Sequence, residues 1–186
     1  MPRFPELTEP LSADRVWLRL SAERDIPEIL IAYQDDPRLH LDLGERRPPS
    51  GAELGRREER AAAERAAGTF VGLTVVEPGC DVCVGQIYVH DLDWINARAE
   101  LGMWLAPQAR GRGLAAGALR LASEWLLGSC GLKRLEILTE PANLAMIAAA
   151  RAAGYREEGV LRGYRREHDG RVDATIMSLL PADLGS

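Results

Sequence analysis

The sequence predicts an α+β fold, a single mixed but mostly antiparallel central sheet flanked by helices. Three observations predict it. Short runs rich in Val, Ile, Leu and Thr, bounded by Gly, Pro and Asp clusters, read as strands. Two of their connections, "PGCD" (Pro78–Asp81) and "HDGR" (His168–Arg171), are short enough to serve only antiparallel neighbours. The helical runs fall singly and in pairs among the strands, in the order β-α-α-β-β-β-α-β-α-β-β, and a regular parallel α/β sheet would alternate them. A length of 186 residues fits one domain, residues 1–186, with room for a substantial core.

"DRVWLRL" (Asp14–Leu20) alternates Val16, Leu18 and Leu20 with other residues and opens the sheet. Ser21 reads as the capping residue of the next helix, in which Ile26, Ile29, Leu30 and Tyr33 share one face. The prolines and glycines of "GERRPPSG" (Gly44–Gly51) make a loop. "AELGRREERAAAERAAG" consists of strong helix formers and ends at Gly68. "TFVGLTVVE" and "VCVGQIYVHDL" flank "PGCD" as a hairpin, and "ARAELGMWLA" (Ala97–Ala106) follows the turn "DWIN" as a third strand. After a glycine loop comes a helix whose Leu114, Ala118, Leu121 and Trp125 form one apolar stripe, with Arg120 and Glu124 opposite. "LKRLEILTE" is a short strand and "NLAMIAAARAAG" a helix closed by Gly154. The chain then forms a last hairpin, with Asp169-Gly170 at its turn.

Composition excludes several classes. The net charge is −5 and the isoelectric point about 5.3, with arginines scattered among acids, so nucleic acid is not an expected partner. No apolar run approaches the roughly 18 residues of a membrane span, and "MPRFPELTEP" lacks the apolar core of a signal peptide. The expectation is a cytoplasmic protein with no membrane partner. Three cysteines make no disulfide framework. Cys80 and Cys83 form a lone C-x-x-C that Cys130 and three scattered histidines do not complete, so no metal site is expected.

The functional signal lies in "LAPQARGRGLAAGALRLASEWLL" (Leu105–Leu127). A P-loop would need G-x-x-x-x-G-K-[ST], and the lysine and hydroxyl are absent. "GRGLAA" matches the dinucleotide pattern G-x-G-x-x-A, but that motif follows its strand directly and opens a repeated βαβ series. Here Ala106 to Arg110 intervene and antiparallel hairpins precede. The wider pattern Q-x-x-G-x-G, with Gln108, Gly111 and Gly113, fits better. Glycines there let the backbone turn tightly and approach a ligand. The amides of Arg110 to Ala115 can then point outward at the positive end of a helix, a geometry that binds pyrophosphate. Arg110 and Arg112 add charge, and the strand Leu101–Leu105 offers main-chain groups to the rest of a long ligand.

With this segment go "EPANLAMIAAARAAGYREEGVLRGY", with Asn143, Ala150, Gly154, Tyr155, Glu158 and Gly159, and "DGRVDATIMSLL", with Asp173, Ser178 and Leu179. Taken in order with the opening "DRVWLRL…DIPEI", they resemble the GNAT acyl-CoA N-acyltransferases, and among them the RimJ/RimL-type branch, over nearly the whole chain. The resemblance implies a V-shaped opening between two central strands that holds acyl-CoA, acetyl-CoA by default. It implies that Met103, Trp104 and Leu105 offer backbone groups to the pantetheine and thioester. It assigns Arg110, Gly111, Arg112, Gly113, Leu114 and Ala115 to the pyrophosphate. Asn143 would reach the pantetheine arm, beside the N-cap role that asparagine fills well.

The implied reaction is direct acyl transfer to a primary amine, on a protein N-terminus or a small molecule. The amine must be neutral to attack, and a carboxylate can take its proton. Glu100 is the candidate base; its plain alternative is a strand residue facing solvent or paired with Arg98. Asp91, His90 and Tyr88 stand in reserve. Acyl-CoA and the amine acceptor are the expected partners, and a homodimer is left open. Gly44–Gly51 and the last hairpin are expected on the acceptor side.

Three positions depart from the family. A serine proposed to protonate the thiolate is replaced by Met146, a tyrosine used elsewhere for that task falls near Ala150, and an acid often found before Tyr164 is Gly163. Tyr155 is either a substitute donor or a core aromatic. These absences raise an alternative, a non-catalytic CoA-binding sensor or interaction module of the same fold. A thiol with a pKa of about 8.5 leaves tolerably as the anion, so a missing acid does not by itself abolish transfer.

Overall fold

The computed structural model describes residues 4–167 and 170–184. Its eight strands are β1 (Leu11–Ala13), β2 (Val16–Leu20), β3 (Val71–Val76), β4 (Gly85–Asp93), β5 (Arg98–Leu105), β6 (Arg134–Thr139), β7 (Arg156–Glu167) and β8 (Gly170–Leu179). They form one sheet in the order β1-β2-β3-β4-β5-β6-β8-β7. Every neighbouring pair is antiparallel except β5 and β6. The helices are α1 (Ile26–Asp35), α2 (Leu39–Asp42), α3 (Gly51–Ala67), α4 (Leu114–Gly128) and α5 (Leu144–Ala152). This is the mixed, mostly antiparallel sheet that the turns and the element order predict. The short β1, paired with β2, and the single turn α2 are additions.

The period of two along each strand divides the core into two layers. Val16, Leu18, Leu73, Val75, Ile87, Val89, Leu101 and Leu105 face α4 and α5. On the other side Trp104 packs with Ile29, Tyr33, Leu39 and Leu54 from α1, α2 and α3. Asp25 fixes α1 to that second face. It is 1% exposed and accepts from Arg19 at 2.9 and 2.5 Å, from Thr74 Oγ1 at 2.7 Å and from the Ala22 amide at 3.1 Å.

Two local readings need correction. Ser21 does not cap α1: its hydroxyl donates to Glu58 at 3.0 Å, and Asp25 folds back to the Ala22 amide instead. Leu121 is only partly buried; Leu114, Ala118, Leu119, Ala122, Trp125 and Leu126 form the buried side of α4, which therefore faces the sheet about one residue round from the expected stripe. The Asp169 half of the last turn lies outside the described residues.

The parallel pair is short. Arg98, Ala99 and Glu100 pair with Arg134, Leu135 and Glu136, and there the register ends. β5 runs on to Leu105 along β4, and β6 runs on to Thr139 along β8. Each strand stays hydrogen-bonded on its outer side while their inner sides separate. Being parallel, both end at the same edge of the sheet, where the loops into α4 and α5 begin.

Candidate active site

The glycine loop stands at the end of β5. Gly111 and Gly113 have φ of 72° and 78°, the left-handed region where a side chain is strained. A Cβ added to either would meet nothing within 4 Å, so the space before the loop is open to a ligand. Gly113 is the N-cap of α4 and supplies no side-chain cap. The Gly117 amide bonds back to Gly113 O at 3.2 Å, which leaves the amides before it as the orphan donors of a helix N-terminus, except that of Arg110, which, contrary to the sequence expectation, already donates to Pro107 O at 3.2 Å. This donor set suits a pyrophosphate. The two arginines are already engaged. Arg110 donates to Leu105 O at 2.9 Å and to Asp36 at 2.6 Å, tying the loop to β5 and to the residue that caps the end of α1. Arg112 makes a two-pronged pair with Glu77 at 2.9 and 2.5 Å.

Met103, Trp104 and Leu105 have their side chains turned into the two core layers. Trp104 Nε1 donates to the Tyr88 hydroxyl at 3.1 Å, and Leu105 is buried with Leu114. Lying beyond Glu100, Met103 to Leu105 pair with β4 and not with β6, so their backbone lies along the opening. Ala115 is half-buried on α4. Asn143 follows β6 as the N-cap of α5 and accepts from the Met146 amide at 3.1 Å.

Glu100 occupies the last position of β5 that pairs with β6, where the two strands begin to part. Burial raises its pKa above the usual carboxylate range; His90 and Arg165 oppose that rise, and Asp91 and Glu136 add to it. Arg98 is not its partner, contrary to one sequence alternative: Arg98 pairs with Glu136 at 3.2 Å. The cation at Glu100 is Arg165 of β7, 3.7 Å away, which also donates to Leu138 O at 2.5 Å. Sequence reasoning missed Arg165 because β7 is irregular between Leu161 and Arg165. Gly163 sits in that irregularity at φ 59°, its amide donating to Asp173 at 2.7 Å. The glycine found where an acid often stands thus has a backbone reason.

The proton donors in question are resolved. Tyr155 is 3% exposed and its hydroxyl lies 2.8 Å from Ser123 Oγ, in the core. Burial pushes its phenol above the usual range, against the Ser123 hydrogen bond. Tyr155 is therefore the core aromatic. Ala150 is fully buried and Met146 packs on the same core.

On the Glu100 face of the sheet, a cavity of about 320 Å³ opens between α1, α3 and β4. Ile29, Leu54, Phe70 and Tyr88 give it apolar walls. Glu45, from the loop expected on the acceptor side, accepts from Tyr33 at 3.0 Å and pairs with Arg57 at 2.6 Å. Glu58, another wall residue, has its pKa raised by burial. The three cysteines are free, and burial pushes Cys83 and Cys130 up to about 12. Among the described residues no helix is long and apolar enough to cross a membrane.

A sheet that parts between two parallel strands, with a glycine loop at the mouth, defines a class of acyl-transfer domain, and comparison with known proteins agrees. Residues 15–156 match the acetyltransferase (GNAT) domain family. The chain belongs to that family, whose activity is N-acetyl transfer from acetyl-CoA. It is 26% identical over 175 residues to the uncharacterised N-acetyltransferase p20 of Bacillus licheniformis, covering 92% of this chain and 96% of that one. Mycobacterium smegmatis RimJ, solved in complex with a CoA disulfide, has the same fold, with a TM-score of 0.78, 23% identity and coverage of 96% and 93%. So does the ribosomal-protein-S5-alanine acetyltransferase of Vibrio fischeri, with a TM-score of 0.80, 16% identity and coverage of 95% and 98%. The family activity favours the enzyme over the non-catalytic module.

Proposed function

We propose that this chain transfers the acetyl group of acetyl-CoA to the N-terminal amine of a protein or peptide, with Glu100 as the base. The observation that carries this reading is the position of Glu100 at the point where β5 and β6 part. The residues fit the donor. The amides of Gly111 to Ala115 take its pyrophosphate, the main chain of Met103 to Leu105 aligns its pantetheine, and Asn143 flanks the arm. Acetyl-CoA supplies an activated acyl group with a thiol leaving group. Glu100 takes a proton from the incoming amine, and its half-buried carboxylate, with a raised pKa, is better matched to that task than an exposed one. A β5 amide facing the mouth takes up charge on the attacked carbonyl oxygen. The cavity beside Tyr88 and Glu45 receives the acceptor's first side chains, and relatives named as ribosomal-protein acetyltransferases support a protein N-terminus.

The test is coenzyme A release, with mass spectrometry of the acceptor, using short peptides that begin with serine or alanine. A mass gain of one acetyl group at the N-terminus is expected, and Glu100→Gln should lower turnover by about 10²-fold or more at unchanged acetyl-CoA affinity. Acetylation of lysine side chains or of polyamines alone would overturn the acceptor. Unchanged turnover in Glu100→Gln across pH 6–9 would overturn the base.

A further inference from the structure

His90 and Asp91 adjoin Glu100, and the fold distorts itself to put them there. His90 of β4 stands opposite Glu100 of β5 in register. The register then shifts, because Asp91 adopts φ 48°. A left-handed backbone at a non-glycine residue is uncommon and persists only where its surroundings impose it. The result is that Asp91 Oδ2 lies 3.0 Å from Nδ1 of its own neighbour, His90. The other ring nitrogen, Nε2, lies over β5, 3.7 Å from where a Cβ of Gly102 would stand. One ligand-type atom from each of His90, Asp91 and Glu100 falls within 4.8 Å of the others. Side-chain exposure rises outward along the series, from 14% at Glu100 through 37% at His90 to 74% at Asp91.

Acylating an ammonium group sets free two protons. One finishes on the coenzyme A sulfur, and the other must leave the cleft. We infer that His90 and Asp91 form the proton exit of this site: Glu100 passes the amine's proton to His90 Nε2, and Asp91 holds the ring with Nδ1 protonated. The inference rests on the assignment of Glu100 under the proposed function. Transfer runs directly or through one water, and His90 then returns the proton to solvent. An imidazole suits this step, since its ordinary titration falls nearest neutral pH. The aspartate fixes the tautomer so that the acceptor lone pair points toward the cleft. His90 acts through Glu100 and is a positioning and relay residue. Besides His90 and Asp91, the charged groups acting on Glu100 are Arg165 of β7 and Glu136 of β6, which is itself paired with Arg98 and Arg134.

The test is nitrogen NMR of the full chain labelled at its three histidines, with His90→Gln assigning the signal. The neutral His90 ring should carry its proton on Nδ1. Asp91→Asn should shift the ring toward the other tautomer, and Glu100→Gln should move the protonation of the His90 signal to lower pH, as loss of a nearby anion does. With an N-terminal-serine peptide, His90→Gln should lower kcat by about 10–100-fold, leave KM for acetyl-CoA unchanged, and recover in part on adding imidazole. A ring protonated on Nε2, a His90 pKa unmoved by Glu100→Gln, or an unchanged kcat would each overturn the relay. If the wild-type chain acetylates no peptide, the acceptor proposal fails, and the tautomer and coupling measurements still decide whether the three groups titrate as one unit.

Discussion

Replacing Gly111 by valine separates the folding role of the loop from its binding role. Gly111 has φ 72° and Gly131, just beyond the other end of α4, has φ 74°; a Cβ at either finds nothing within 4 Å. No clash contributes, so the cost of Gly→Ala at both is left-handed strain of about 1–2 kcal/mol, offset by some 0.4–1 kcal/mol from the stiffer unfolded chain. The net, about 1 kcal/mol, lowers Tm by roughly 2–4 °C for a chain of this length. Valine at Gly111 strains the backbone further and moves the loop amides off their aim. Acetyl-CoA at about 100 times its Kd should stabilise the wild type by about 2.7 kcal/mol, a rise of roughly 5–10 °C. Thermal unfolding with and without millimolar acetyl-CoA reads both effects. Gly131→Ala should melt lower yet keep the full ligand shift, and Gly111→Val should lose the shift. A full ligand shift in Gly111→Val would refute the cradle; its loss in Gly131→Ala would show that the assay reads general stability.

Three further outcomes are expected. Glu77→Gln removes the anion that holds Arg112, and calorimetry should find acetyl-CoA binding about 2–5-fold tighter, the scale of an exposed ion pair; weaker binding would show that Glu77 pre-orders the arginine. Arg165→Met removes a cation that favours the Glu100 carboxylate, so the acidic limb of the kcat/KM profile should move to higher pH, and a shift to lower pH would contradict the pairing. Asp25→Ala takes from Arg19 its buried partner, leaving it only the exposed Asp81 as a charged partner, and orphans the Thr74 hydroxyl; denaturant unfolding should show a loss of about 3–5 kcal/mol, and a loss near 0.5 kcal/mol would mean the pair is solvated in solution.

The glycine loop was legible because everything it needs is contiguous. Gly111 and Gly113 supply the positive φ, Leu114 begins the helix, and Leu101–Leu105 is the strand before it. Glu100 was legible as the acid next to that strand. Arg165 was not, since counting faces along β7 fails at the irregularity around Gly163. The Asp91–His90 contact was hidden in the same way: alternation puts their side chains on opposite faces, and the turned backbone at Asp91 brings the two together. The Ser21 cap failed because Asp25, four residues on, offers the stronger acceptor and is itself held by Arg19 and Thr74.

By itself, then, the sequence determined the order of the longer strands and helices, the turn chemistry and the glycine loop. These follow from φ preferences and apolar periods that neighbouring residues carry. Tertiary structure alone decided where β5 and β6 part, which cation meets Glu100, that Tyr155 spends its hydroxyl on Ser123, and that Arg110 and Arg112 are held by Asp36 and Glu77. Each of these depends on strand register and on side chains distant in sequence. One bulge reverses which face a residue occupies, and no local pattern encodes that reversal.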